Sequence, residues 1–208
     1  LFARAKADPR RLVFAEGEEQ RVLHAVQVIV DDGLARPIVI GRQEVVRRRI
    51  ERLGLRLRLG EQVELVDPEH DDRFGAYWST YHRIMERRGV TPTLARTVVR
   101  TNTTVIAALM LHRGEAEAAI AGAVGSYHDH LKHALDIIGL QPGVTTPAAL
   151  NALLVPRGTF FIADTQVSAD PGAETIVETT LLAARAVRRF GLQPKVALLS
   201  HSNFGARS

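Results

Sequence analysis

The chain reads as an α/β domain built on a mainly parallel sheet. Short apolar runs, such as Leu12-Val-Phe-Ala15, Arg36-Pro-Ile-Val-Ile-Gly41 and Ala118-Ala-Ile-Ala-Gly122, alternate with longer segments of helical period. The segments between runs are long enough to cross over the sheet, so consecutive strands are expected to be parallel and right-handed in their connection. No repeat, low-complexity tract or polar linker interrupts the alternation.

Each element follows from a local pattern. Leu1 to Asp8 is a short amphipathic segment, and Leu12 to Ala15 is the first strand. A helix is predicted from Glu19 to Asp32, because Val22, Ala25, Val26, Ile29 and Val30 fall on one stripe and Gly33 suits a C-terminal cap. Arg36 to Gly41 is the second strand, Glu44 to Leu53 an arginine-rich helix ended by Gly54, and Val63 to Val66 the third strand. Phe74 to Arg88 is helical with Tyr77, Tyr81, Ile84 and Met85 on a shared side. Thr91-Pro92 starts another helix, which is expected to continue through Thr97 to Arg113. The strand at Ala118 enters the glycine loop Gly122-Ala-Val-Gly-Ser126, followed by a helix from His128 to Ile138. Pro147 to Leu154 is expected to be helical, Thr159 to Ala163 a core strand, Ala173 to Phe190 a helix capped by Gly191, and Lys195 to Ser200 a last strand. The proline-rich stretch 139–156 is the expected seam between a first lobe, 1–140, and a second, 141–208. Leu1 opens without methionine and the loop after Ser200 lacks the helix that normally follows, so the chain is read as cut at both ends.

Composition narrows the function. With 208 residues, 46% apolar and 24% charged, a sizeable core is expected. The absence of cysteine removes disulfides, thiolate zinc sites and a cysteine nucleophile, and suits a cytoplasmic protein. The net charge of +4 is carried by arginines spread among glutamates, and the aromatic share is 5%, a poor fit to nucleic acid and a fair one to an anionic metabolite. No apolar run is long enough to span a membrane.

Four strand exits are expected to share one rim: Glu16-Gly17, Gly122 to Lys132, Asp164-Thr165, and Ser200 to Asn203. At the second, Gly122 and Gly125 permit close backbone approach, Ser126 and Tyr127 supply hydroxyls, Asp129 is a polar neighbour, and Lys132 adds positive charge one turn into a helix whose start favours an anion. This is a candidate phosphate cradle, although neither P-loop nor dinucleotide spacing is present, and a packing turn explains the same glycines. His128, His130 and His133 are badly spaced for a metal and read as a polar helix face. Ser200-His201-Ser202 is not a local dyad, because adjacent strand residues point to opposite faces. Ser200, Ser202 and Asn203 instead suit a phosphate or thioester arm, and Asp164 suits either a ligand hydroxyl or a turn cap.

Phe14-Ala-Glu-Gly-Glu-Glu-Gln-Arg-Val-Leu23, Gly114-Glu-Ala-Glu-Ala-Ala-Ile-Ala-Gly122, Leu135-Asp-Ile-Ile138 and Gly158-Thr-Phe-Phe-Ile-Ala-Asp164 resemble, in order, blocks of the phosphate acetyltransferase family. Tyr77-Trp-Ser-Thr-Tyr-His82, Met85-Glu-Arg-Arg-Gly-Val-Thr-Pro92 and Leu199-Ser-His-Ser-Asn-Phe-Gly205 resemble a narrower branch, the C-terminal domain of the large bacterial NADP-dependent malic enzymes. The resemblance implies a three-layer α/β/α, two-lobed fold related to isocitrate and isopropylmalate dehydrogenases, with the ligand cleft between lobes. It implies acetyl-CoA or CoA as ligand at Gly122, Gly125, Ser126, Tyr127, Asp129, Lys132, Asp164, Ser200, Ser202 and Asn203. It also implies a dimer of such domains, with malate oxidation, NADP and a divalent metal belonging to upstream domains.

Departures bear on activity. Active members of the family carry arginines where Lys132 and Met85 align. Lysine lacks the planar bidentate fork and methionine lacks the charge as well. The expectation is therefore an acetyl-CoA-sensing regulatory domain without catalytic residues of its own, the alternative being an active phosphate acetyltransferase.

Overall fold

The computed structural model describes residues 2–199. They form two compact units that divide after Gly139. The first opens with α1 (Phe2–Ala7) and continues through β1 (Arg10–Phe14), α2 (Gln20–Asp32), β2 (Ala35–Ile40), α3 (Gln43–Arg52), β3 (Glu64–Val66) and α4 (Phe74–Met85). A short 3-10 turn at Glu86–Arg88 leads into α5 (Pro92–Thr101), α6 (Thr103–His112), β4 (Ala118–Ile120) and α7 (Tyr127–Ile137).

The strands lie in the order β3-β2-β1-β4, and every described pairing in this sheet is parallel. Phe14 stands opposite Val39 on one side and Ile120 on the other, and Ile40 stands opposite Val66. The two-residue strand period sorts the core into two layers. Val13, Ile38 and Ile40 face a cluster built with Tyr77, Tyr81, Met85 and the apolar residues of α6. Phe14 and Val39 face Val22, Leu23 and Val26 of α2 with Val46 and Ile50 of α3. Helices therefore cover both faces, the α/β arrangement that the alternation predicts. Burying each of these aliphatic side chains stabilises the unit by about 1.5–3 kcal/mol before entropy is counted.

Local chemistry sets the boundaries. Gly33 stops α2 with φ 64°, its N–H pointing to the carbonyls of Ile29 and Val30. The single helix expected through Thr97 to Arg113 is broken at Asn102, whose backbone is extended and whose side chain accepts from Val105 N at 3.1 Å. An asparagine that caps forward cannot also sit inside the preceding helix, so α5 and α6 part there. Residues 104–110 of α6 are all buried, which explains why that segment has no amphipathic stripe.

The second unit holds β5 (Leu150–Val155), β6 (Gly158–Ala163) and α8 (Ala173–Arg189). The helix expected over Pro147 to Leu154 is instead a strand, paired antiparallel with β6 from Leu150 opposite Ala163 to Val155 opposite Gly158. An apolar run of that length carries no period to separate the two structures, and the two-residue turn at Pro156-Arg157 decides for a hairpin. The expected core strand at Thr159 is this hairpin's second arm, with Phe160 54% exposed, so it is not a core strand. Lys195 to Leu199 forms no strand, Leu199 being 91% exposed, and Ser200 lies outside the described residues. Among the described residues no helix is long and apolar enough to cross a membrane.

Candidate functional site

Two strand exits of the first unit meet. After β1 the chain presses against β2, where Gly17 N donates to Ile40 O at 2.9 Å. A Cβ on Gly17 would lie 2.8 Å from that oxygen, so only glycine allows the approach. The turn directs Glu16 across the sheet edge to the glycine loop after β4, where its Oε1 accepts from Gly122 N at 2.9 Å. Gly122 and Gly125 take φ of 109° and 106°, values that side chains other than glycine's resist.

The loop feeds α7 through a closed capping arrangement. Ser126 accepts from Asp129 N at 3.2 Å, and its hydroxyl donates to Asp129 Oδ2 at 2.8 Å. The helix start thus carries its own cap and its own negative charge. Tyr127 is 43% exposed and meets His128 edge to face. Lys132 is exposed and pairs with Asp136 at 3.4 Å, an aspartate that Arg88 also engages.

The three histidines have separate employments. His130 Nε2 donates to the carbonyl of Val124 at 2.8 Å, and its Nδ1 lies 2.8 Å from the Thr104 hydroxyl. His133 Nε2 lies 2.9 Å from Nδ2 of Asn102. Burial pushes the His133 pKa down, with Lys132 adding to it. His130 and His133 face inward, so the expectation of a plain polar helix face holds for His128 alone. The groove between these groups, about 350 Å³, is lined by Glu16, Asn102, Thr104, Ser126, His130 and His133 among others. Among its described lining residues there is no lysine or arginine. The sequence places Glu16 at the rim and His130 on a polar helix face, but does not single out Asn102 or Thr104. The 130/133 spacing and the Thr-Asn-Thr cap were the available signals.

The remaining candidates fall elsewhere. Asp164 belongs to the second unit, where its carboxylate accepts from the backbone N–H of Ala149 at 3.0 Å, Val167 at 3.2 Å and Ser168 at 2.9 Å. Burial alone would raise its pKa, but these bonds outweigh burial and hold the carboxyl below its usual range. These bonds make Asp164 a turn cap, one of its two expected roles. Ser200, Ser202 and Asn203 lie outside the described residues. Met85 is buried to 6% exposure in the core cluster. The one group of metal-type ligands among the described residues, Asp67, Glu69 and His70, stands away from this groove, and Asp67 already accepts from Gln43 N at 3.0 Å.

A parallel sheet covered by helices on both faces, with a glycine loop where two strand exits converge, defines an α/β protein. The EutD phosphotransacetylase from Staphylococcus aureus superposes with a TM-score of 0.84 at 23% identity, over 99% of this chain and 61% of that one. A phosphotransacetylase from Streptococcus pyogenes gives 0.83 at 24%, over 100% and 63%. The phosphate acetyl/butaryl transferase family matches residues 1–208, and the chain belongs to that family. By sequence it is 52% identical over 206 residues to the NADP-dependent malic enzyme of Escherichia coli (strain K12), and 50% over 208 residues to the NAD-dependent malic enzyme of Rhizobium meliloti (strain 1021). It is 30% identical over 203 residues to the phosphate acetyltransferase of Synechocystis. The chain spans 27% of the length of either malic enzyme and 29% of that phosphate acetyltransferase. It matches a phosphate acetyltransferase-like region of malic enzymes.

Proposed function

We propose that this chain is the acetyl-CoA-sensing, non-catalytic phosphate acetyltransferase-like region of a cytoplasmic bacterial malic enzyme. Upstream domains of the same polypeptide would carry the oxidative decarboxylation of malate with NADP and a divalent metal. The groove beside the glycine loop would take the neutral thioester and pantetheine end of acetyl-CoA. Its hydroxyl, carboxylate and imidazole groups suit amide N–H and C=O partners. Gly122, Gly125, Ser126, Tyr127, Asp129 and Lys132 remain the proposed contacts in this unit. A dimer of these regions is part of the same proposal.

The observation that carries the non-catalytic reading is the state of the two positions where the resemblance implies family arginines. Met85 is packed in the core, and the ammonium of Lys132 sits on Asp136. Joining acetyl and phosphate beside a CoA thiolate needs fixed positive charge at the reacting centre. Losing one such donor typically costs about 2.7–4 kcal/mol of transition-state stabilisation. Binding the thioester without turning it over makes no such demand. The greater similarity to malic enzymes, 52% against 30%, supports the same assignment.

The test uses the full-length polypeptide. Acetyl-CoA is expected to bind by calorimetry and to change the rate of malate-dependent NADP reduction, while acetyl phosphate and CoA give no acetyl transfer above background. Sustained transfer would establish the active enzyme instead. Absence of binding at millimolar acetyl-CoA would end the sensing role.

A further inference from the structure

His130 joins three segments that the chain brings together from far apart. Its Nε2 meets the Val124 carbonyl within the glycine loop, and its Nδ1 meets the hydroxyl of Thr104 in the first turn of α6. A carbonyl only accepts, so Nε2 carries the proton and, in the neutral ring, Nδ1 is left to accept from Thr104. Glu16, which holds Gly122 N, stands 4.0 Å from the same Nδ1. The imidazole also occupies the space beside Gly125, where an added Cβ would come within 3.0 Å of Nε2. The ring is well shielded, its side chain 17% exposed, and Thr104 is buried. The loop is therefore held at Gly122 by a carboxylate and at Val124 by an imidazole. The imidazole is anchored in turn to a helix buried along seven consecutive residues.

We infer that His130 is the positioning residue of this site, fixing the 122–126 loop against the start of α6 so that the groove keeps its shape before ligand arrives. This rests on the reading of the groove as the acetyl-CoA site. It assigns that site a preorganising side chain on α7 which does not itself touch the reacting atoms. Without the ring, two positive-φ glycines leave the loop with few constraints, and ligand binding must then order it.

Three variants in the full-length polypeptide test this. His130→Ala removes both bonds, His130→Gln keeps an N–H donor near the Nε2 position, and Thr104→Val removes only the anchoring hydroxyl. Amide hydrogen exchange without ligand is expected to speed up at residues 123–126 by at least about tenfold in His130→Ala, with the sheet amides of β1 and β2 unchanged. Thr104→Val gives a smaller rise in the same residues, and His130→Gln recovers most of the protection. Calorimetry with acetyl-CoA is expected to show His130→Ala weakened by about tenfold or more and His130→Gln close to wild type. Unchanged loop exchange, or a rise spread equally over the first unit, overturns the inference. Wild-type protein that does not bind acetyl-CoA, together with the local exchange pattern above, overturns the ligand reading alone and leaves the positioning role standing.

Discussion

Asn102 uses both ends of its amide, and His133 depends on the second. Its Oδ1 accepts from Val105 N at 3.1 Å, which fixes the amide's orientation, so Nδ2 donates to His133 Nε2 at 2.9 Å. His133 must then be neutral, because a protonated Nε2 would set donor against donor. Burial and the nearby Lys132 push its pKa in the same direction.

This arrangement makes stability depend on pH with a definite sign. The folded-state pKa of His133 lies below its unfolded value near 6.5, so the unfolded chain takes up the proton first as pH falls. The stabilisation is present above about pH 6.5 and is lost on acidification through the lowered folded pKa. Denaturant midpoints measured between about pH 8 and 5 are expected to decline on the acid side, and His133→Gln is expected to flatten that decline.

Asn102 itself offers the converse test. Asn102→Ala removes the cap of α6 and should cost about 1–2 kcal/mol. Asn102→Asp keeps a capping oxygen but replaces the N–H donor with a carboxylate. It is expected to raise the His133 pKa, which an NMR titration of the ring protons reads directly.

The turn after β6 should respond to a single carboxylate. Asp164→Ala strips the acceptor from the backbone N–H groups of Ala149, Val167 and Ser168. A loss of about 1–3 kcal/mol in the second unit's stability is expected. Because these bonds hold the carboxyl below its usual range, their contribution is present above that range. It fades as pH falls through the depressed value. Asp164→Asn, which keeps an acceptor and does not titrate, should lose less stability and show a weaker acid dependence.

Gly17→Ala is expected to destabilise the first unit by about 1–3 kcal/mol in equilibrium unfolding, since its methyl would press on the Ile40 carbonyl and Val39 Cβ, both 2.8 Å away. Gly33→Ala meets no neighbouring atom within 4 Å and strains only the backbone at φ 64°. Its cost should be near 1 kcal/mol.

Much of the architecture is legible from local pattern. The β1-α2-β2 unit, the Gly33 stop and the strand-glycine loop-helix order around Gly122 are all written in spacing and turn chemistry, because those signals act within a few residues. The hairpin at Leu150 is not, because an apolar run looks alike in a strand and a short helix. The site is legible only in part. Gly122, Gly125 and Ser126 announce a loop, but Glu16 reaching Gly122 and His130 reaching Thr104 are separated by 106 and 26 residues. Such pairs exist only once the sheet has brought β1 beside β4 and α6 beside α7. Lys132 illustrates the reverse limit: its position near the loop is readable, whereas its pairing with Asp136 follows from helical i,i+4 geometry competing with any ligand.

The burial of Met85 limits which side chains this position can accept. Its side chain lies in the same cluster as Tyr77, Tyr81, Ala95 and Val99. A guanidinium introduced there would have to sit uncompensated among hydrocarbon or prise α4 away from its neighbours, and either outcome erodes a fold of ordinary marginal stability. A single exchange to arginine is therefore expected to be poorly tolerated at this position. Space and a counter-charge would have to be engineered into the surrounding layer first.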